Sequence, residues 1–329
     1  MNKTNNSRRG VSLYSFQEEY FLRKMTLEDI LATCSKMNIR GIEIIPDQMI
    51  PAYPNVSDAF FDQWHEWMDK FELTPTCMDM FLDFNKFKGR DMNFEEKVNS
   101  VCTDIKVASR LGCKSIRVIT GTEPEVIEKA IPDAEKYDVK LGIEIHSPFH
   151  MDHPYEQSLL TMYGRTKSTH VGFIPDMGIF VKKFPRVISE RWVRDGMKKE
   201  IARFVTDLYD SHEDLSRMDA EILKMGGTEK EVGMAGTVKH FINTDPQRIV
   251  DYMPYMFHIH AKFYEMLPDY TEYSIPYEEV IPVLLKGGYK GYLSSEYEGN
   301  RHIQDAFEVD SVEQVRRQQE MFKKLLGEA

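Results

Sequence analysis

The chain has 329 residues, and its 42% hydrophobic content is enough to fill a large core, which argues against a disordered chain. Its net charge of −11 and isoelectric point near 5.5 argue against nucleic-acid binding, because phosphate backbones require a basic face. No apolar run approaches the roughly 20 residues that span a bilayer, and the polar N-terminus has no apolar signal segment. We therefore expect a cytoplasmic protein without a membrane span. The four cysteines lie far apart without a C-x-x-C pair, which favours free thiols over a disulfide or zinc site.

Short apolar runs alternate with longer amphipathic runs along the chain, a pattern typical of a parallel sheet built from βα units. The apolar runs predict strands at 10–15, 41–45, 73–80, 114–119, 140–146, 171–176, 256–263 and 291–297. Helical patterns follow near 26–37, 58–71, 93–110, 123–136, 155–166, 244–252, 276–286 and 310–326. Thr26 with Asp29, and Ser311 with Gln314, resemble the N-capping signals of the first and last helices. Eight strands, each followed by a helix, predict a single α/β domain over 1–329, a (β/α)₈ TIM barrel rather than an open sheet.

The stretch from 181 to 243 interrupts this alternation. It is charged and helical, then rich in glycine around Gly226–Gly236, and it has too few aliphatic residues for a second core. We expect a helical insertion after strand 6 on the active-site face. A lid, a surface for a partner and a segment without a role of its own all remain open at this point.

Three strand ends carry a glutamate in a similar setting: RGIEIIP at 40–46, LGIEIHSP at 141–148 and, more loosely, GYLSSEYEG at 291–299. A glutamate at the end of a hydrophobic strand is costly unless it is paired, hydrogen-bonded or bound to a metal. Equivalent positions on several strands indicate the carboxyl-terminal face, where the active sites of these barrels lie.

Further ionisable residues are predicted at the same face. Strand residues two apart point the same way, so Glu144 shares a face with His146, and His258 with His260. The predicted group at the barrel mouth consists of Glu144, His146, Asp176, His258, His260 and Glu296. Such carboxylates and imidazoles suit a divalent cation such as Mn²⁺. The alternatives are an ion pair for Glu144, a capping role for Asp176, a hydrogen-bonded core position for one of the two histidines, and Glu298 as the neighbour that competes with Glu296.

Four motifs in this order, G-I-E-I-H, F-I-P-D-M-G, H-I-H-A-K and S-S-E-Y-E-G, resemble the sugar phosphate isomerase/epimerase superfamily of xylose-isomerase-like barrels. The resemblance covers nearly the whole chain. It implies that the metal ligands are Glu144, Asp176, His260 and Glu296. It also implies that Lys262 contacts substrate oxygens, with a solvent-exposed lysine at a strand end as the alternative.

The chain departs from the ketose 3-epimerases of that superfamily at two positions. Those enzymes carry a histidine and an arginine where this chain has Ile179 and Met266. This departure argues against simple ketose epimerisation by two glutamates. His146, two residues beyond Glu144, could instead serve as a base beside the ion, with a supporting or structural role as the alternative.

The motifs G-I-E-I-H-S-P and D-M-G-I-F-V-K-K-F-P-R-V, together with the long helical insertion, are similar to the large α subunits of bacterial C-glycoside deglycosidases. That resemblance implies a 3-oxo-glycoside substrate, which a separate oxidoreductase has already oxidised. It implies a metal-assisted β-elimination, in which a base removes the C2 proton and the enediolate expels the aromatic carbon from C1. It also implies a small β-rich partner subunit.

Under this interpretation His146 is the general base, and Glu43 and Arg117 at the ends of strands 2 and 4 orient sugar hydroxyls. A structural ion pair is the alternative for both Glu43 and Arg117. Other functions remain open: an isomerase or epimerase acting on a free or phosphorylated sugar with the same metal, an inosose-type dehydratase, and an inactive barrel that serves as a scaffold. The acidic charge disfavours an endonuclease.

Overall fold

Eight parallel strands form the centre of the structure, a computed structural model that describes residues 8–82 and 86–328. The strands are β1 (Arg9–Ser12), β2 (Gly41–Ile44), β3 (Thr74–Met80), β4 (Ser115–Val118), β5 (Lys140–Ile145), β6 (Val171–Pro175), β7 (Ile259–Phe263) and β8 (Leu293–Tyr297). Their order in the sheet is β6-β5-β4-β3-β2-β1-β8-β7. Two isolated parallel bridges, Phe173 with Met256 and Asp176 with His260, link β6 to β7. The sheet therefore nearly closes, and the predicted TIM barrel is confirmed.

Helices surround the strands. The α-helices are α1 (Gln17–Phe21), α2 (Leu27–Lys36), α3 (Pro46–Met49), α4 (Asp58–Phe71), α5 (Phe94–Leu111), α6 (Pro124–Tyr137), α7 (Pro154–Thr166), α8 (Arg186–Arg194), α9 (Lys199–Asp210), α10 (Met218–Lys224), α11 (Glu229–Ala235), α12 (Tyr277–Lys286), α13 (Asn300–Ile303) and α14 (Ser311–Leu325). The 3₁₀ helices are Leu13–Phe16, Met177–Ile179, Leu215–Arg217, Gly236–His240 and Pro246–Tyr255. The helix expected at 244–252 is thus a 3₁₀ helix, and it contains Pro254, which has no N–H to donate.

The two predicted helix caps have different outcomes. Thr26 accepts a hydrogen bond from Asp29 N, and the Asp29 carboxylate accepts one from Thr26 N at 2.9 Å, so this capping box is confirmed. The cap expected at Ser311 is wrong, since Ser311 is the first helical residue of α14. Asp310 caps that helix by accepting from Glu313 N at 2.9 Å, because its carboxylate stands one position earlier, where it can reach the free N–H.

The segment between β6 and β7 carries α8 to α11 and packs on the barrel. Its buried residues, Ile201, Val205 and Ile222 among them, belong to the same hydrophobic cluster as the strands. Ion pairs fasten it to the neighbouring loops: Arg186 Nε lies 2.5 Å from a Glu265 oxygen after β7, and Arg194 Nε lies 2.9 Å from Asp305 Oδ2 after α13. The segment therefore forms one wall above the carboxyl ends of the strands.

The described part of the chain contains no helix that combines the length and the apolar surface needed to cross a bilayer. All four cysteines are free thiols. Cys34, Cys77 and Cys113 are buried, and Cys102 is half-buried. Burial raises the pKa of the Cys102 thiol to about 11, so this thiol is protonated and a weak nucleophile at neutral pH.

Candidate active site

Four side chains from neighbouring strands meet at the carboxyl end of the barrel. Glu144 on β5, Asp176 directly after β6, His260 on β7 and Glu296 on β8 each place one donor atom within 4.8 Å of the others, and all four residues are buried. His260 Nδ1 lies 2.9 Å from Glu144 Oε1 and 3.6 Å from Glu296 Oε2. We refer to these four residues as the carboxylate–histidine cluster. It consists of the four residues that the resemblance to the isomerase/epimerase superfamily implies as metal ligands.

The electrostatics of the cluster suit a bound cation. Burial raises the pKa of Glu296 to about 8, although Lys262 and His260 favour its ionised form. Asp176 Oδ2 and Glu296 Oε2 are buried without a hydrogen bond from the described residues. Lys262 Nζ lies 2.6 Å from Asp176 Oδ2 and 3.7 Å from Glu296 Oε2, which is ion-pair contact without hydrogen-bond geometry. Three carboxylates and one imidazole are a donor set that fits Mn²⁺ or a similar divalent ion.

The turn after β6 fixes the position of Asp176. Its Oδ1 atom accepts a hydrogen bond from Gly178 N at 2.6 Å, which leaves Oδ2 directed at the cluster. A Cβ atom on Gly178 would lie 2.8 Å from Asp176 Oδ1 and 3.3 Å from the Lys262 side chain. Asp176 therefore caps the 3₁₀ helix Met177–Ile179 and also belongs to the cluster, so the two roles weighed for it coexist.

Glu43 lies against His260 and His258, and its contact with His260 is an ion pair without hydrogen-bond geometry. The Glu43 side chain is 0% exposed; its Oε1 atom lies 3.1 Å from His260 Nε2, and its Oε2 atom lies 2.5 Å from His258 Nε2. Although burial disfavours its charge, His260 and His258 hold the pKa of Glu43 well below the usual value. His260 thus presents Nδ1 to the cluster, and His258 lies on the far side of Glu43. Glu43 therefore forms a structural ion pair, which was the alternative to a role in orienting sugar hydroxyls.

Arg117 on β4 also has a buried partner. Its Nε atom lies 3.0 Å from Asp79 Oδ1 and 3.9 Å from Glu144 Oε2, and its guanidinium lies 4.3 Å from the centre of the Phe81 ring. Burial raises the pKa of Asp79 to about 7, against the effect of Arg117. Asp79 was not predicted as a site residue, although it lies at the end of a strand in the sequence M-D-M, as the three glutamates lie at the ends of theirs. Arg117 therefore supplies positive charge beneath the cluster.

A cavity of about 430 Å³ lies between the cluster and the wall formed by the segment after β6. From the barrel it is lined by His146, Asp176, Lys262 and Glu298, among others. From the wall it is lined by the apolar residues Ile188, Trp192 and Phe241 and by the polar residues Arg191, Asp195, Thr237 and His240. The His146 ring is 44% exposed, and its Nε2 atom lies 3.9 Å from Asp176 Oδ2. The cavity thus brings a half-exposed imidazole, a lysine and aromatic rings next to the cluster.

The cavity residues of the insertion were not predicted, and Glu298 was considered only as a neighbour that competes with Glu296. Trp192 and Phe241 lie in a stretch with no strand pattern, and only the fold shows which of its apolar residues face the barrel. Glu298 had a signal, because it follows Glu296 by two residues and must point the same way if the strand geometry continues.

Comparisons with known proteins agree with this architecture. The family described as xylose isomerase-like TIM barrel matches residues 31–325. The chain is 28% identical to a C-glycoside deglycosidase alpha subunit of Arthrobacter globiformis, with 97% of this chain and 92% of that protein covered. It is also 28% identical to a 3'-dehydrocarminate deglycosidase alpha subunit of a Microbacterium species, with 98% and 96% covered.

Solved structures share the fold at low sequence identity. An L-ribulose 3-epimerase superposes with a TM-score of 0.59 at 13% identity, covering 98% of this chain and 95% of that one. A 3-keto-D-glucoside 4-epimerase from E. coli superposes with a TM-score of 0.53 at 11% identity, covering 96% and 98%. The chain belongs to the xylose isomerase-like TIM barrel family.

Proposed function

We propose that this protein is a metal-dependent carbon–carbon lyase that cleaves 3-oxo-C-glycosides by β-elimination, as a C-glycoside deglycosidase α subunit. The observation that carries the proposal is the position of His146, a half-exposed imidazole beside the carboxylate–histidine cluster, in a cavity with an aromatic wall. The similarity to two deglycosidase alpha subunits over nearly the full length supports the same function.

The chemistry begins at the carbon next to the ketone. A divalent cation held by Glu144, Asp176, His260 and Glu296, which we propose to be Mn²⁺, would supply Lewis acidity to the 3-oxo group. His146 removes the proton from C2 through a ring nitrogen, since its ring reaches the cavity and its Nε2 atom lies 3.9 Å from a cluster oxygen. The C2–H electron pair forms an enediolate. The 3-oxo group then re-forms, the electron pair of the C2–C3 double bond moves to C1–C2, and the aryl carbon leaves C1 with its bonding pair and takes up the proton that His146 removed from C2.

Lys262 provides the second positive charge at the reacting carbons. Although burial favours the neutral amine, Asp176 and Glu296 hold the pKa of Lys262 well above its usual value. A charged ammonium that lines the cavity can donate hydrogen bonds to the substrate oxygens on which negative charge develops. We propose this role for Lys262 and propose that Glu43 and Arg117 support the cluster from below.

The relatives named alpha subunits support a further part of the proposal, a small partner subunit that completes the enzyme. The 3-oxo group of the substrate requires a separate oxidoreductase upstream, because β-elimination itself changes no net oxidation state.

An isomerase or epimerase acting on a ketose is the second candidate. The observation in its favour is that Glu144 and Glu296 lie in one cluster, as two carboxylates that could exchange a proton with a sugar. Against it, Ile179 and Met266 are buried apolar residues where the ketose 3-epimerases carry a histidine and an arginine. Neither residue can bind a sugar hydroxyl through its side chain.

The test is aglycone release from a 3-oxo-C-glucoside, measured with Mn²⁺ added and with a chelator, on protein purified together with any subunit that accompanies it. A panel of free ketoses is assayed in parallel. We expect release that the chelator abolishes and Mn²⁺ restores. No release, combined with isomerisation of a ketose, would overturn the lyase proposal and support the second candidate.

A further inference from the structure

Glu298 lies on the cavity surface and takes part in none of the steps above. We infer that Glu298 binds the hydroxyl groups at C4 or C6 of the sugar ring and thereby makes the site specific for an intact hexose. This inference rests on the proposed function, because it assumes that the cavity holds a 3-oxo-glycoside next to the cluster.

The backbone places Glu298 accurately at the end of β8. Its N–H group donates to the Phe263 carbonyl at 2.9 Å, which continues the pairing of β8 with β7 by one residue. At the next residue, a Cβ atom on Gly299 would lie 1.9 Å from the Tyr264 carbonyl oxygen, closer than any side chain permits. The glycine therefore allows this segment to lie directly against the backbone after β7, and that contact fixes where the Glu298 side chain begins.

Arg301 gives the Glu298 carboxylate a cationic partner. Its Nη1 atom lies 3.5 Å from Glu298 Oε1. The Arg301 guanidinium in turn lies 4.9 Å from the centre of the ring of Tyr14, which is buried. A carboxylate fixed in this way loses little freedom when a ligand binds, which is what a specific binding group requires.

The chemistry of the substrate indicates what this carboxylate would bind. In a 3-oxo-hexoside the reaction uses C1, C2 and C3, and the hydroxyl groups at C4 and C6 remain as donors. An ionised carboxylate accepts hydrogen bonds and donates none, so it suits such hydroxyls. The Glu298 side chain is 19% exposed, so part of it is open to a ligand, and it lines the cavity together with His146 and Lys262. A sugar whose C2 lies at His146 therefore has Glu298 among the groups around the rest of its ring.

Deoxy sugars test this inference. Aglycone release is measured for a 3-oxo-C-glucoside and for its 4-deoxy and 6-deoxy analogues, with wild-type protein, Glu298→Gln and Glu298→Ala. For the wild type we expect kcat/KM to be about tenfold or more lower for at least one deoxy analogue, since a hydrogen bond to a charged group contributes roughly 1.5–3 kcal/mol. In Glu298→Ala that difference should shrink to about threefold or less, with the parent substrate losing activity mainly through KM.

A matched control is Glu308→Gln, which removes a charge from an 84% exposed glutamate on the same connection between β8 and α14. This variant should retain the wild-type discrimination. The dissociation constant for Mn²⁺ and the melting temperature are measured for all variants. Glu298→Gln should leave both quantities unchanged. If Glu298 had a purely structural role, this substitution would change at least one of them.

Three outcomes would overturn the inference: a wild type that does not distinguish the deoxy analogues, a Glu298→Ala variant that distinguishes them as the wild type does, or a loss of Mn²⁺ affinity that accounts for its lost activity. If the wild type binds the glycosides without cleaving them, dissociation constants replace kcat/KM in the same comparison, and only the proposed reaction fails. If it neither binds nor cleaves any 3-oxo-glycoside, both proposals fail.

Discussion

Replacing Glu43 by glutamine tests whether Glu43 positions His260, which we propose as a metal ligand. Glutamine keeps the shape of the side chain and removes its charge, at a residue whose oxygens lie 3.1 Å from His260 Nε2 and 2.5 Å from His258 Nε2. A carboxylate behind a ligating imidazole holds the ring in place and raises its basicity, and losing such a partner typically weakens metal binding by about 10–100-fold. We expect Glu43→Gln to raise the dissociation constant for Mn²⁺ by that factor, which corresponds to about 1.4–2.7 kcal/mol.

The assay is calorimetric titration of metal-free protein with Mn²⁺. The control is Glu308→Gln, which also removes one negative charge but from a side chain that is 84% exposed. Binding of Mn²⁺ to Glu43→Gln as tight as to the wild type would refute the positioning role. Unchanged Mn²⁺ affinity with weaker binding of the glycoside would instead favour direct contact between Glu43 and the sugar.

Three further predictions concern the base, the turn after β6 and a buried acid. His146→Asn should lower the rate constant for aglycone release by about 10²–10⁴-fold and leave the Mn²⁺ dissociation constant unchanged; a parallel loss of metal would contradict its role as base. Gly178→Ala should displace Asp176 and weaken Mn²⁺ binding by about tenfold or more. The control is Gly164→Ala, where an added Cβ meets no atom within 4 Å. This variant should leave Mn²⁺ binding unchanged and stabilise α7 by about 0.5–1 kcal/mol. Burial raises the pKa of Asp104 to about 7 from 3.8, so its carboxyl ionises less readily in the native state than in the unfolded state. The free energy of unfolding therefore falls as pH rises from about 4 to 7. Asp104→Asn should remove this pH-dependent loss of unfolding free energy, which is at most about 4 kcal/mol. The measurement is urea unfolding of both proteins at pH 4 and pH 7. If the substitution changes the free energy of unfolding equally at both pH values, the raised pKa of Asp104 is refuted.

The barrel and the composition of the cluster could be predicted because they depend on local patterns. Buried parallel strands are short and apolar, so a carboxylate at the end of one is conspicuous, and the alternation of strand and helix gives the order in which these ends meet. The pattern placed Glu144 and Glu296 at the barrel mouth, and the structure brings both together with Asp176 and His260. That these four bind a metal stays a prediction, as does the division into one domain with an insertion.

The roles of individual carboxylates could not be predicted in the same way. Glu43 and Glu144 stand in nearly identical motifs, and a period of two gives only the face of the sheet on which a side chain lies. The role of each glutamate depends on its partners from other strands, such as His258 for Glu43. Those partners come together only when the barrel closes. Asp79 was missed although it ends a strand, because one aspartate between two methionines has no second copy to draw attention to it.

The wall of the cavity was the hardest part to predict. The segment from 181 to 243 has amphipathic helices but no strand whose alternation would fix a direction, so the sequence alone did not indicate that Trp192 and Phe241 face the barrel. Its helices instead pack on the same core as the strands, and ion pairs such as Arg186 with Glu265 tie it to the loop after β7. These contacts between distant parts of the chain decide which apolar residues line the cavity.

We propose that the protein removes the C2 proton of a 3-oxo-glycoside and then releases the aglycone. The most direct measurement uses a 3-oxo-C-glucoside labelled with deuterium at C2 and follows the label by mass spectrometry while the Mn²⁺-loaded protein acts on it. β-Elimination predicts that each aglycone released leaves a sugar product without the C2 label, together with a primary isotope effect if proton removal limits the rate. Aglycone release with the deuterium retained at C2 would contradict the account, as would loss of the label without any release of aglycone.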